Sequence, residues 1–179
     1  MVEFGDRAVF EAVETELGRT LNHNELIARE FATVRAPLAE VVDYVVREAR
    51  VRAGFRKLAE RYRPLVVSGT FHELIEPVLQ REGIDVELRA NRLDPRPDGW
   101  HVLFRSTDDC AACGEPCKRA ELPAGDVVYV GDGYYDRCAA LAAGRVFARA
   151  GLAEYLESLG APYEPFEDFF DVADRLEHS

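Results

Sequence analysis

The chain has 179 residues, with 22 basic and 33 acidic side chains and a formal charge of −11. That length predicts one globular domain with room for a small insert, and the acidic balance argues against a nucleic-acid-binding surface. No apolar run reaches the ~18 residues of a membrane span, and the first residues lack a signal segment. The sequence therefore predicts a soluble, cytoplasmic protein without nucleic-acid or membrane partners, and it leaves the oligomeric state open.

The first third of the chain predicts helices. Apolar residues recur at helical spacing over 9–17, 27–34 and 38–46, and a fourth short helix is predicted over 55–62. This segment precedes every predicted strand, which is typical of a helical insert near the N-terminus of a larger domain.

After residue 64 strands and helices alternate. Short apolar runs at 65–67, 127–130 and 145–148 predict buried parallel strands. A β-hairpin is predicted over 86–104. The further predicted helices cover 71–80, 136–143, 152–159 and 166–176. This order predicts an α/β fold with a parallel sheet.

Two predicted strands end in small, polar turns, at Ser68-Gly69 and at Gly131-Asp132-Gly133. Ligands of open parallel sheets bind beyond the carboxyl ends of the strands. Asp132 and Asp136 have the oxygen ligands that Mg²⁺ prefers. Lys118, one of two lysines in the chain, precedes the second strand and could neutralise a phosphate.

These motifs resemble those of the haloacid dehalogenase (HAD) superfamily of phosphatases. Val67-Ser68-Gly69, Lys118 and Gly131-Asp132-Gly133-Tyr-Tyr-Asp136 look like its second, third and fourth motifs, in the family's order. Within it the chain is similar to the phosphoserine-phosphatase-like branch, in particular to its methionine-salvage and phosphoethanolamine/phosphocholine phosphatases. The resemblance implies a HAD-like Rossmannoid core over 55–179 and a helical cap over 7–54 that closes over the substrate.

The resemblance also implies a function and the residues that perform it. A magnesium-dependent phosphatase of this kind passes the phosphoryl group to an aspartate, and water then releases it. By the same resemblance Ser68 and the Gly69 backbone would bind phosphate, and Lys118 would hold phosphate and nucleophile together. Asp132 would ligate Mg²⁺, and Asp136 would support that metal site. The expected substrate is a small phosphorylated metabolite.

The family's first motif, Asp-x-Asp-x-Thr at the end of a central strand, has no counterpart in the chain. Losing about five buried side chains at roughly 1.5–3 kcal/mol each would remove about as much free energy as stabilises a whole domain. We therefore expect that an upstream reading frame supplies this strand and the nucleophile, and that the chain as given is inactive. The alternative is a non-catalytic remnant that binds phosphate or a partner. With the strand missing, residues 66–67 and 128–130 are expected to be parallel, with a one-strand slot between them.

Three cysteines, Cys110, Cys113 and Cys117, lie in one loop with the spacing C-x2-C-x3-C. A zinc site would need a fourth ligand, for which Cys138 and His101 are the candidates. Reduced thiols of a cytosolic loop and a redox-active disulfide are the other interpretations. The sequence leaves all three open.

Overall fold

The computed structural model describes residues 3–178. Within them the α-helices are α1 (Arg7–Glu14), α2 (His23–Phe31), α3 (Leu38–Glu48), α4 (Phe55–Tyr62), α5 (His72–Arg81), α6 (Arg137–Ala140), α7 (Ala150–Ser158) and α8 (Phe169–Glu177). The strands are β1 (Leu65–Phe71), β2 (Glu87–Arg96), β3 (Gly99–Leu103), β4 (Val128–Gly131), β5 (Arg145–Ala148) and β6 (Glu164–Pro165). None of these helices combines the length and the apolar character that a membrane-spanning helix needs.

The chain divides into two compact units. The N-terminal unit contains residues 3–51 and Leu65–Thr107, and the C-terminal unit contains Arg52–Pro64 and residues 108–178. The N-terminal unit thus combines α1, α2 and α3 with the first strand and the hairpin. The cap over 7–54 and the core over 55–179 are the parts of the family's fold that the resemblance implies, and they differ from the two compact units. That division stays a prediction.

The N-terminal unit has a three-stranded sheet in the order β1–β2–β3, with β1 parallel and β3 antiparallel to β2. Its core is aromatic. The ring centroids of Phe31 and Phe71 lie 4.6 Å apart in an edge-to-face arrangement, which is favourable for aromatic pairs. The single tryptophan, Trp100, is 1% exposed, and its indole N–H donates to the Ala36 carbonyl at 3.1 Å.

The C-terminal unit has a parallel sheet in the order β4–β5–β6. Leu152 and Leu156 of α7 are buried in one core cluster with Val146 of β5. Phe147, the next residue of β5, belongs to a second cluster with Val172 of α8. Successive residues of a strand point to opposite faces, so β5 contributes to both clusters.

Both predicted motif strands lie at sheet edges, because β1 and β4 each end the strand order of their own sheet. They are less buried than predicted: Val66 and Val67 are half-buried, and Val128 is 45% exposed. A strand at an edge has a neighbouring strand on one side only, which explains the exposure. The expected slot between residues 66–67 and 128–130 stays a prediction.

Several element bounds differ from the predicted ones. Strand β1 continues through the Ser68-Gly69 turn to Phe71. The first helix ends at Glu14 rather than near Gly18, because the carbonyl of Glu16 accepts the N–H groups of residues 19–21 and closes a tight turn. Helix α8 begins at Phe169, where Asp168 caps it, and not at Phe166.

Candidate active site

The turn after β4 folds around the carboxylate of Asp136. Its Oδ2 accepts the backbone N–H groups of Asp132 and Gly133, both at 3.0 Å. Gly131 makes this close approach possible, since a Cβ there would lie 2.8 Å from Cγ of Asp136. The predicted helix over 136–143 begins instead as a 3-10 turn at Tyr134–Asp136, followed by the four residues of α6. The loop conformation is therefore set by one buried carboxylate.

The other carboxylate oxygen, Oδ1, binds two side chains of the same unit. Lys118 Nζ lies 2.6 Å away and the hydroxyl of Tyr129 donates at 2.8 Å. The Lys118 and Asp136 side chains are only 13% and 7% exposed, and the ammonium also lies 5.6 Å from the Tyr135 ring centroid. With four donors, the carboxylate of Asp136 has its hydrogen-bonding capacity filled from within the protein.

These contacts keep Asp136 ionised. Burial alone would raise the pKa of this carboxyl, but the charge of Lys118 outweighs it. Hydrogen bonds from Lys118, the Gly133 backbone and Tyr129 act in the same direction, and the pKa of Asp136 lies below its usual range. The carboxylate of Asp136 is thus ionised at neutral pH, in contact with the ammonium of Lys118.

Asp132 contrasts with Asp136 in environment. Its backbone is held by the N–H of Leu152, which donates to the Asp132 carbonyl at 3.1 Å. Its side chain is exposed, and among residues 3–178 no hydrogen bond or ion pair involves its carboxylate. Mg²⁺ is commonly bound through one or two carboxylates together with phosphate oxygens and waters. The free carboxylate of Asp132 fits such an ion, whereas that of Asp136 is already engaged.

Ser68 and Gly69 lie on β1, in the N-terminal unit. The hydroxyl of Ser68 accepts the N–H of Thr70 at 3.1 Å, so it turns back onto its own strand. The carbonyl of Gly69 accepts from the buried Asn91 side chain at 2.8 Å, and the Asn91 amide oxygen in turn accepts the N–H of Arg105. One buried amide thus connects the end of β1 to the hairpin.

Three of the five predicted site residues, Lys118, Asp132 and Asp136, come together within the C-terminal unit. The predicted convergence of Ser68 and Gly69 with them stays a prediction. Sequence reasoning missed Tyr129 as a partner of Asp136. The available signal was a hydroxyl-bearing residue within an otherwise aliphatic strand, where a buried hydroxyl requires a hydrogen-bond partner.

Comparison with known proteins places the chain in a family. The model of the haloacid dehalogenase-like hydrolases matches residues 6–141, and the protein belongs to that family. The predicted hydrolase family is thereby confirmed.

Individual relatives show which members of the family the chain is similar to. The chain is 29% identical, over 94% of its length and 83% of the relative, to the 2-hydroxy-3-keto-5-methylthiopentenyl-1-phosphate phosphatase of Geobacillus kaustophilus. It is 26% identical, over 99% of its length and 87% of the relative, to the phosphatase of the same name from Exiguobacterium sibiricum. Among solved structures it resembles phosphoserine phosphatase from T. onnurineus, with a TM-score of 0.67 at 20% identity, over 94% of this chain and 80% of that one. This confirms the predicted α/β, HAD-like fold.

Proposed function

We propose that this protein is a phosphomonoester phosphatase of the HAD family that acts on a small phosphorylated metabolite. The observation that carries the proposal is that Asp136 binds both the Lys118 ammonium, at 2.6 Å, and the backbone of the turn that contains Asp132. The ammonium can contact a phosphate, and the exposed, unpaired carboxylate of Asp132 can ligate a cation. The names of the relatives agree with this chemistry.

In this proposal each polar group has a defined role. Asp132 ligates Mg²⁺, which when bound withdraws charge from the phosphoryl oxygens. Lys118 donates to the phosphate and to the nucleophile, and Asp136 holds the ammonium in position and fixes the Asp132 turn. Ser68 and the Gly69 N–H bind the phosphate, as the family resemblance implies. The four free thiols support a reducing, cytoplasmic location.

The nucleophile is the second part of the proposal. The chain contains no Asp-x-Asp, so none of its aspartates matches the family's phosphoryl-accepting motif. We propose that codons upstream of the given sequence encode this motif and its strand. Without it, the 179 residues bind phosphate but do not hydrolyse the ester, since removing a nucleophile costs roughly a million-fold in a studied hydrolase.

For the substrate we propose the enol phosphate of methionine salvage as first candidate, because two of the relatives are named for it. Phosphoserine and the phosphorylated amino alcohols are the next candidates. All are monoesters of small alcohols or enols, so the phosphate contacts above are common to them. Side chains away from the phosphate must therefore distinguish them.

The test compares the 179-residue chain with the chain extended to the preceding in-frame stop codon. Four monoesters are offered, namely the enol phosphate, phosphoserine, phosphoethanolamine and phosphocholine, and the inorganic phosphate released is measured with Mg²⁺ and with chelator. We expect release only by the extended chain and only with Mg²⁺. In the extended chain, Lys118→Met and Asp132→Asn should each lower kcat/KM by about a hundred-fold or more. Lys57→Met, at the other lysine, is the matched control and should keep wild-type activity.

A folded extended chain that carries the motif and hydrolyses none of the four esters would contradict the proposed phosphatase. If the upstream codons reach a stop without an Asp-x-Asp-x-Thr sequence, the non-catalytic alternative replaces it. In that case calorimetry of the 179-residue chain with Mg²⁺ and inorganic phosphate should still detect binding, and Lys118→Met should abolish it.

A further inference from the structure

All four cysteine sulfurs of the chain lie within 4.8 Å of one another. We call this group the cysteine cluster; its members are Cys110, Cys113, Cys117 and Cys138. Three of them come from the loop before β4 and the fourth from α6, so residues distant in sequence converge on one point. Within the described part of the chain no other group of three or more Cys, His, Asp or Glu side chains is arranged to hold a metal ion. His101, the other candidate for a fourth ligand, lies on β3 of the N-terminal unit.

The loop conformation presents the sulfurs. The N–H of Gly114 donates to the Cys110 carbonyl at 2.7 Å, and the N–H of Cys110 donates to the Glu115 carbonyl at 3.1 Å. Gly114 has a positive φ of 75°, which glycine adopts without strain. This tight turn brings Cys113 back beside Cys110, the C-x2-C geometry that structural zinc sites use.

The distances distinguish a metal site from a disulfide. All four cysteines are free, and the sulfurs of Cys110 and Cys138 are 3.9 Å apart, whereas a disulfide bond measures about 2 Å. Four thiolates around one Zn²⁺, at roughly 2.3 Å each, lie about 3.8 Å from one another in a tetrahedron. We propose that the cysteine cluster binds one zinc ion through its four thiolates.

The surroundings suit a metal bound for structure. Cys117 is buried and Cys138 half-buried. A cavity of about 340 Å³ reaches Cys113, Cys117 and Cys138 and offers the ion a path of entry. Backbone N–H groups of Ala112 and Cys113 donate to the Cys110 sulfur, and it is the thiolate form of cysteine that binds metals. Four protein ligands leave no position for substrate, so this zinc is structural.

The loop that contains three of the four cysteines needs an additional source of stability, which a bound zinc ion would supply. Between β3 and the 3-10 turn that begins at Lys118 it has no helix or strand, and its residues are mostly polar or small. A segment of this kind buries little apolar area to offset the entropy of ordering it. Zinc would hold Cys117, next to Lys118, against Cys138, two residues after Asp136. The ion would therefore keep Lys118 and Asp136 close to each other by binding the cysteines near them in the sequence.

The test measures metal content and is independent of any phosphatase activity. The wild-type chain and two variants are purified from zinc-supplemented medium without chelator, and zinc per chain is determined by plasma mass spectrometry. We expect one zinc per chain for the wild type. The variant Cys113→Ser, at the exposed member of the cluster, should keep at most about one tenth of the wild-type zinc after dialysis against a weak chelator. Ala111→Ser, in the same turn with all four ligands kept, should retain it fully.

Reconstitution with cobalt is a second test, which needs only the wild-type chain and is therefore valid even if Cys113→Ser fails to fold. Reconstitution of the wild-type chain with Co²⁺ should give intense visible absorption of a tetrahedral site and a thiolate-to-metal charge-transfer band. Zinc well below one per chain, with four thiols that react equally fast with and without added zinc, would overturn the proposal. So would iron in place of zinc, or loss of metal from Ala111→Ser equal to that from Cys113→Ser.

Discussion

The ammonium of Lys118 lies 2.6 Å from Oδ1 of Asp136, and neither side chain is more than 13% exposed. A buried pair of this kind is costly to form and more costly to break, because the remaining partner keeps its charge without compensation. The same carboxylate fixes the turn that presents Asp132. The stability of the C-terminal unit and the geometry of the candidate site therefore depend on one group.

Replacing Asp136 with asparagine should lower the free energy of unfolding by about 3–5 kcal/mol, because the largely buried ammonium of Lys118 loses its carboxylate partner. Urea denaturation followed by far-ultraviolet circular dichroism measures the loss. Asp126→Asn, at an exposed position before β4, is the control and should stay within about 0.5 kcal/mol of the wild type. Equal stability of the two variants would show that the pair contributes nothing.

The Tyr129 hydroxyl makes a second contribution to the free energy of unfolding, which can be measured separately. Tyr129→Phe removes its 2.8 Å hydrogen bond to Asp136 and keeps the ring in the core. We expect a loss of about 1.5–3 kcal/mol, the range for hydrogen bonds to charged groups. In the Asp136→Asn background the same substitution should cost clearly less, and this double-mutant cycle measures the coupling. Strict additivity would mean that the hydroxyl acts elsewhere.

The close approach at Gly131 predicts a steric effect. A Cβ at this position would lie 2.8 Å from Cγ and 2.9 Å from Cβ of Asp136, so Gly131→Ala must displace the carboxylate or the turn. We expect a loss of about 1–3 kcal/mol, as for overpacked sites. Gly144→Ala is the matched control, because its nearest contacts would be at 3.8 and 3.9 Å. A Gly131→Ala variant as stable as this control would contradict the geometry of the turn.

In the N-terminal unit Glu30 predicts a pH dependence of stability. Burial, with a smaller effect of Glu14, raises the pKa of Glu30 to about 7. The folded state thus binds this proton more tightly than the unfolded state, whose usual value is 4.5. Its contribution to stability is complete below pH 4.5 and is lost as the pH rises to about 7.

Glu30→Gln should therefore gain stability relative to the wild type between pH 5 and 8, and most at pH 8. The difference between the denaturation midpoints of the two proteins isolates this group from the other carboxyls. Glu40→Gln, at an exposed position of α3, should follow the wild-type pH trend. A constant difference between Glu30→Gln and wild type over this range would contradict the raised pKa.

Local signals in the sequence predicted several elements to the residue. Helix α4 covers Phe55–Tyr62 and strand β5 covers Arg145–Ala148, as expected from an apolar pattern bounded by residues that end it. The α/β order followed from the alternation of predicted strands and helices. These features depend on short-range spacing, which can be read directly from the sequence. The grouping of Lys118 with Asp132 and Asp136 was implied by the resemblance to the HAD family.

The remaining features depend on long-range contacts. Helix α6 has four residues. Asp136, predicted as the first residue of a longer helix, instead ends a 3-10 turn and binds the backbone of the preceding turn. The partnership of Tyr129 with Asp136 was not predicted, and Cys138 could not be preferred over His101 as a partner of the loop cysteines. In each case the deciding contact is between side chains that the sequence separates and only the tertiary fold brings together.

The position of Trp100 has a consequence for spectroscopy. It is the chain's single tryptophan, and it is buried in the N-terminal unit, where its indole donates to Ala36. Intrinsic emission therefore reports on the solvation of that unit's core and suits the Glu30 measurements. The C-terminal unit contains six of the seven tyrosines and no tryptophan, so its unfolding is followed by circular dichroism or with an introduced fluorophore. A fluorescence melt alone would miss local melting around Asp136.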